Sequence, residues 1–286
     1  MRHLVRAACA TALALAPSFG VGASAQAFES ISSYDVQIEI RADDSIRIAE
    51  TIVYDFGSSE HHGIYRDVPT RLYYDDRSDR VYPLHVESVS ASPGTPAQYD
   101  VSSEAGGISR IKIGDPDRTI TGAHTYQIVY TVGAALNGFA DHDELYWNAI
   151  GDEWDVPVSN AEVTVTAPAG ILQVACAAGP SGSYQACDRA KAKDDTARFA
   201  QASLNPYEAL TIMVSVSKGV VAEPHPQLVE RWSIDRAFSR RPATLGFSGL
   251  LLLAIAGGFG WLLWARGRDR RYVGSPVDQV MGSPGG

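Results

Sequence analysis

The chain has 286 residues, 45% of them hydrophobic and 20% charged, which is the make-up of a folded protein rather than of a disordered or collagenous one. Its formal net charge is −9. Between Phe28 and Pro242 there are 18 Lys and Arg against 31 Asp and Glu, a net of −13, which argues against nucleic acid or anionic lipid headgroups as ligands of that region.

Residues 1–27 have the form of a cleaved signal peptide. Arg2 and Arg6 precede an apolar segment, Ala7–Ala16, and both Ala23-Ser24-Ala25 and Ala25-Gln26-Ala27 fit the small-x-small pattern of a cleavage site. The alternative, a first membrane helix, is weaker, because Pro17 and Gly20 interrupt a run already short of the ~20 apolar residues a span requires. Cleavage predicts a mature chain that starts near Phe28 and is delivered outside the cytoplasm.

From Ile31 to Ser217 apolar side chains recur with period two, the mark of half-buried strands. Tyr34–Ile40 alternates cleanly, Asp43-Asp44-Ser45 supplies a hairpin turn, and the return strand Ile46–Phe56 sets Ile46, Ile48 and Ile52 on strand positions. Further strands are predicted at Leu84–Ala91, Ile108–Ile113, Tyr126–Val132, Glu144–Ile150, Ala161–Ala167, Ala197–Ala202 and Leu210–Val216. Many short strands separated by Gly, Pro and Asp turns predict a mainly β fold, an antiparallel β-sandwich over residues 28–219. Once Cys9 leaves with the signal, Cys176 and Cys187 remain, separated by a Gly/Pro/Ser-rich loop. In an oxidising compartment they form a natural disulfide pair; two free thiols are the other reading.

Residues 220–242, with Pro224 and Pro226, read as a juxtamembrane stalk ending in a short helix from Leu228 to Phe238. Ala243–Ala265 carries no charged residue and is long enough to span a bilayer as a single transmembrane helix, with Trp261 and Trp264 near one end where indoles favour the interface. Ala254 and Gly258, and likewise Ala256 and Gly260, place small residues four apart, a face that suits contact with another membrane helix. Flanking arginines stand on both sides of the span, so its orientation follows from the signal peptide: the domain outside the plasma membrane, and 266–286 as a disordered cytoplasmic tail.

Three phrases resemble a known family. They are His62-Gly63-Ile64-Tyr65-Arg66-Asp67-Val68-Pro69; Ile113-Gly114-Asp115-Pro116-Asp117 followed by Gly122–Tyr130; and Trp147 followed by Gly151–Val158. Over approximately Ile31–Gly219 the chain resembles the bacterial predicted membrane proteins that carry domain of unknown function 2207. That resemblance implies a signal peptide, an extracytoplasmic domain and a following span, and it implies no activity.

Enzyme signatures are absent: no GxSxG elbow, HExxH, P-loop or GxGxxG. His61 and His62 are sequence neighbours, which suits a polar loop better than a metal pair. Two places could carry function. In Glu60–Pro69, Gly63 could take a positive φ and Arg66 could brace the segment by pairing with Asp67 or another acid; alternatively Tyr65, Arg66 and Asp67 hold a carboxylate or a sugar. The second place is the acidic cluster Asp141, Asp143, Glu144, Asp152, Glu153 and Asp155, interleaved with Trp147 and Trp154. If its two segments meet, Asp141, Asp143, Asp152 and Asp155 could hold Ca²⁺, while paired carboxylates beside indoles would suit glycan hydrolysis. The plainer reading is a solvated acidic rim above a core that contains both indoles. The sequence thus predicts a membrane-anchored binding or sensing module of the cell envelope, with a tethered cell-wall glycan hydrolase as the rival.

Overall fold

A computed structural model describes residues 28–232 and 242–267. The expected signal peptide and nearly all of the expected tail lie outside the described residues. The chain divides into two compact units, one ending at Glu230 and the other starting at Arg231.

The first unit is built of strands. In chain order they are β1 (Ser30–Ile40), β2 (Ile46–Asp55), β3 (Gly63–Pro69), β4 (Arg71–Tyr73), β5 (Ser78–Val81) and β6 (Leu84–Ala91). Next come β7 (Tyr99–Glu104), β8 (Ile108–Gly114), β9 (Ala123–Val132), β10 (Leu136–Gly138), β11 (His142–Ile150) and β12 (Val158–Thr166). The last are β13 (Ile171–Pro180), β14 (Arg189–Lys193), β15 (Thr196–Leu204), β16 (Glu208–Ser217) and β17 (Gln227–Glu230). They form a seven-stranded sheet in the order β14-β15-β12-β1-β2-β9-β6 and a four-stranded sheet, β10-β11-β16-β13. Two smaller sheets, β17-β5-β4 and β3-β8-β7, complete the unit.

Alternation decides which face each strand buries. Tyr34, Val36, Ile38 and Ile40 of β1 point inward beside Ile46, Ile48 and Ile52 of β2 and Tyr126, Ile128, Tyr130 and Val132 of β9. On the four-stranded sheet the inward set is Leu145, Trp147 and Ala149 with Leu210, Ile212, Val214 and Val216. Both sets belong to one hydrophobic cluster, so the two larger sheets share a core as a sandwich does. Pairing is antiparallel throughout except between β1 and β12, which run parallel with Tyr34 opposite Ala161 and Val36 opposite Val163. Parallel neighbours need a long crossover, and here the ten strands β2–β11 lie between the two.

Two expectations change. Glu60–Pro69, for which no strand was predicted, is mostly strand: β3 pairs with β8 from Gly63 opposite Gly114 to Pro69 opposite Ile108. Gly63 has a φ of +148°, and a side chain there would overlap the Ile113 carbonyl oxygen, so close strand approach explains the glycine. The second change concerns the stalk. Where a helix from Leu228 was predicted, β17 pairs with β5, Leu228 lying opposite Arg80. Upstream, the Ala222 N–H donates to the Ala42 carbonyl, and Val221 and Pro224 are buried. The compact unit therefore extends past 219, and the rest of the predicted helix falls outside the described residues.

Cys176 on β13 is bonded to Cys187, with Cα atoms 5.6 Å apart. Among the described residues the second unit contains one helix, α1 (Pro242–Arg266), close to the span predicted at 243–265. It is the one helix among the described residues that is long and apolar enough to cross a membrane.

Candidate functional site

Glu50 occupies an inward position of β2, in the slot where its neighbours Ile48 and Ile52 bury apolar side chains. A carboxylate there requires compensation, and Arg66 of β3 supplies it. Its Nη2 and Nε donate to Glu50 at 2.8 Å each, and the two side chains are 2% and 0% exposed. The Tyr34 hydroxyl donates to Glu50 Oε2 at 2.8 Å and the Tyr130 hydroxyl to Oε1 at 2.6 Å. Burial first, and then the Glu50 charge, hold both phenols well above their usual range, so they stay protonated as donors. Burial pulls the Arg66 pKa down, but the Glu50 charge and the neighbouring tyrosines outweigh it and hold the guanidinium above its usual value.

This network braces β3, which contributes Gly63, Ile64, Tyr65 and Asp67 to the lining of a cleft. Arg66 Nη1 donates to the Asp67 carbonyl at 2.6 Å, and Gly151 leaves room beside that guanidinium. The Asp67 carboxylate, on the opposite face of β3, accepts two bonds from Arg110 of β8, at 2.8 and 2.6 Å. The Arg110 guanidinium lies 4.8 Å over the Tyr65 ring. Hydrogen bonding from Arg110 to Asp67 raises the Arg110 pKa further.

The cleft encloses about 380 Å³ between β3, the β11–β12 connection and the turn before β16. Its acidic lining is Glu29, Asp67, Glu153 and Asp155, and its rings are Tyr54, Tyr65, Trp154 and Tyr207. Trp154 is anchored edge-on to Tyr34, at 5.9 Å between centroids, and packs at 6.4 Å from Tyr54. Glu29 meets His61 Nε2 at 2.9 Å and accepts from the Tyr54 hydroxyl at 3.3 Å. Burial pushes the Glu29 carboxyl up, but hydrogen bonds from His61, Ser59 and Tyr54 outweigh it and hold the group below its usual value. Glu153 goes the other way: burial, then the charges of Asp152 and Asp67, raise it against the pull of Arg110.

The profile of the predicted membrane protein (DUF2207) N-terminal domain matches residues 30–216. The chain belongs to that family. No curated protein matches it. Among solved structures it is similar to an M1 zinc metallopeptidase from Deinococcus radiodurans, with 13% identity and a TM-score of 0.39 over 65% of this chain and 42% of that one. It is also similar to yeast LTA4 hydrolase in complex with bestatin, with 13% identity and a TM-score of 0.43 over 65% of this chain and 28% of the other. The family member described here spans less than half the length of these structures, and likeness at this level carries no argument about activity.

Of the residues singled out in the sequence, the structure brings Tyr65, Asp67, Glu153, Trp154 and Asp155 to the cleft and leaves Arg66, Trp147, Asp141, Asp143, Glu144 and Asp152 out of its lining. Arg66 lies beneath it and braces β3, with Glu50 as its acid rather than Asp67. Trp147 is a core residue of β11, packed edge-on to Tyr82 at 5.9 Å. The four aspartates expected to gather around Ca²⁺ do not converge. Asp141 and Asp143 lie at the start of β11 and Asp152 and Asp155 beyond its end, so the seven strand residues 144–150, about 23 Å of strand at about 3.3 Å each, stand between the two pairs. Asp143 is buried and bonded to Lys218 at 2.6 Å, while Asp141 is exposed and pairs with His142. Among the described residues no three His, Cys, Asp or Glu side chains are placed to hold a metal ion. Sequence reasoning missed Glu50, Arg110, Glu29 and Tyr207. Glu50 alone left a clear signal, an acid in phase with Ile46, Ile48 and Ile52.

Proposed function

We propose that the strand-built unit is a binding or sensing module outside the cytoplasm, anchored in the plasma membrane by α1 as a single pass. The observation that carries the reading is the cleft itself. Its aromatic and acidic walls stand on a buried, fully bonded Glu50–Arg66–Tyr34–Tyr130 framework, so the concave surface is formed before any ligand arrives. Outward orientation is supported by the signal-like residues 1–27 and by the disulfide, which belongs to oxidising compartments. Within the membrane, the small residues Ala254, Gly258, Ala256 and Gly260 of α1 would let a second helix approach.

The test places a photo-crosslinking amino acid at position 65 in the full chain in its native cells. Crosslinking to an extracytoplasmic component, absent when the probe sits at exposed Glu39, supports the module. No product above that control refutes it.

A second reading is favoured by one observation: Glu29 and Glu153 line the same cleft in environments that push their pKa values apart, as a base and an acid would need for glycan hydrolysis. Release of reducing ends from cell-wall glycan, abolished by Glu153→Gln, would establish it. Unchanged glycan would remove it.

A further inference from the structure

We infer that the cleft recognises an organic cation, an ammonium or guanidinium group carried on a short carbon chain. The inference rests on the binding-module reading and names the class of ligand the module takes.

The charges of the cleft are only half closed. Asp67 is neutralised by Arg110 at two contacts, and Glu29 meets His61. Glu153 and Asp155 form no ion pair among the described residues, and they flank Trp154 on the cleft wall. A cation settling there gains two carboxylates within a concave surface, where water is partly displaced and the attraction exceeds that on an open face. Burial first, and then the negative charges of Asp152 and Asp67, raise the Glu153 carboxyl.

Ring faces supply the second half of the recognition. Cations are drawn to the faces of Tyr and Trp within about 6 Å of the centroid. The protein already uses this attraction in the same cleft, where Arg110 lies 4.8 Å over Tyr65. Tyr207 stands 61% exposed on the opposite side, on a backbone with φ +64°. Non-glycine residues are uncommon there, and the exposed Tyr207 ring is part of the cleft lining.

Other ligand classes fit less well. A metal ion such as Ca²⁺ needs six to eight oxygens, and among the described residues no three His, Cys, Asp or Glu side chains are placed to hold one. An anion would need a free cationic donor, but Arg110 is held by Asp67 and Arg66 is 2% exposed. A neutral sugar could stack on the rings, yet it would leave Glu153 and Asp155 without counter-charge.

The test uses the full chain in phosphatidylcholine nanodiscs at about 0.15 M salt, where exposed charges are screened beyond about 8 Å. Tryptophan fluorescence follows titration with 1,5-diaminopentane and with 1,5-pentanediol, its uncharged analogue. The expected result is saturable binding of the diamine, at least tenfold tighter than the diol. The pair Glu153→Gln and Asp155→Asn should weaken it at least tenfold. The remote pair Asp194→Asn and Asp195→Asn makes the same change in net charge on the β14–β15 turn and should leave it unchanged. Equal affinity for diamine and diol, or equal loss from both variant pairs, would overturn the proposal. Crosslinking from position 65 separates the two levels. A product that persists in the Glu153→Gln, Asp155→Asn chain keeps the module and removes the cation, whereas no product in either chain removes both.

Discussion

Arg66 and Glu50 meet across two strands that are not neighbours in any sheet. β3 belongs to a three-stranded sheet and β2 to the seven-stranded one, and the guanidinium–carboxylate pair joins them inside the core. Two tyrosine hydroxyls complete the carboxylate's bonding, so neither charge is left uncompensated. Removing one partner is therefore costly in a way that removing both is not. Arg66→Met or Glu50→Leu alone should cost about 3–5 kcal/mol. The double variant should cost clearly less than the sum of the two, a coupling read from a double-mutant cycle on thermal unfolding. Additive losses would show that the pair contributes packing alone.

Gly63 and Gly114 face each other across β3 and β8 with φ of +148° and +145°. A methyl group on either would strike backbone atoms of the opposite strand. Gly63→Ala should destabilise the domain by more than about 2 kcal/mol, well above the ordinary effect of a surface substitution. Because Tyr65 and Asp67 hang from the same strand, it should also weaken any ligand held in the cleft. A Gly63→Ala chain with unchanged melting temperature would contradict the close approach.

The disulfide closes a loop of 11 residues between β13 and the segment before β14. Cys176→Ser with Cys187→Ser should lower stability by about 3 kcal/mol on the chain-entropy account. In the native chain, denatured but unreduced, both thiols should resist alkylation and become reactive after reduction. Mass spectrometry of the peptides that contain Cys176 and Cys187 reads this directly.

Asp44 gives a pH dependence with a definite sign. Burial, the largest influence, raises its carboxyl above the usual range, opposed by backbone hydrogen bonds from Leu136 and His225 and by Arg80, and assisted by Asp143. The folded state thus binds this proton more tightly than the unfolded chain. Ionised Asp44 therefore costs stability, the cost being present above the raised pKa and vanishing as pH falls below the ordinary one. Asp44 also sits at φ +68°, a conformation asparagine tolerates well. Asp44→Asn should raise the melting temperature at about pH 8, with the gain shrinking towards about pH 4. A gain independent of pH would point to backbone preference alone.

Asp143 and Lys218 make a complementary case. The carboxylate is fully buried, and its Oδ2 has no hydrogen-bond partner among the described residues. Lys218→Met strands that charge and should cost about 1–3 kcal/mol or more, the penalty for an unsatisfied buried group. Adding Asp143→Asn should recover part of the loss in the same melting assay. No recovery would mean that the lysine's carbon chain, rather than its charge, supports β11.

The sandwich was legible because alternation is local. Tyr34 to Ile40 and Ile46 to Ile52 declare their inward faces by period two, and Asp43-Asp44-Ser45 marks the turn between them. Short strands left less trace: β17 has four residues next to two prolines, and what makes it a strand is β5, some 150 positions upstream. The cleft was half visible. Tyr65, Asp67, Trp154 and Asp155 were drawn out by their company in sequence, whereas Arg110 and Tyr207 stand among unremarkable neighbours and reach the site only through the β3–β8 register and the turn before β16. The four aspartates proposed for Ca²⁺ stand apart for a geometric reason. Convergence required the two acidic segments to meet, and the strand between them carries them apart.

The parallel seam between β1 and β12 sets an order of events during synthesis. β1 is among the first strands to leave the ribosome, yet one of its two edges stays open until residues 158–166 have followed, and β15 must then cover β12. Until that point the hairpin of β1 and β2 presents Val36, Ile38 and Ile48 with half of their sheet missing. Contacts this distant in sequence carry a large loop-closure entropy and place folding at the slow end for a domain of this size. An exposed, unfinished edge over that interval is a substrate for holdase chaperones. Pulse-labelled chains stopped before residue 158 should accordingly remain protease-sensitive, and those extended past 204 should become resistant.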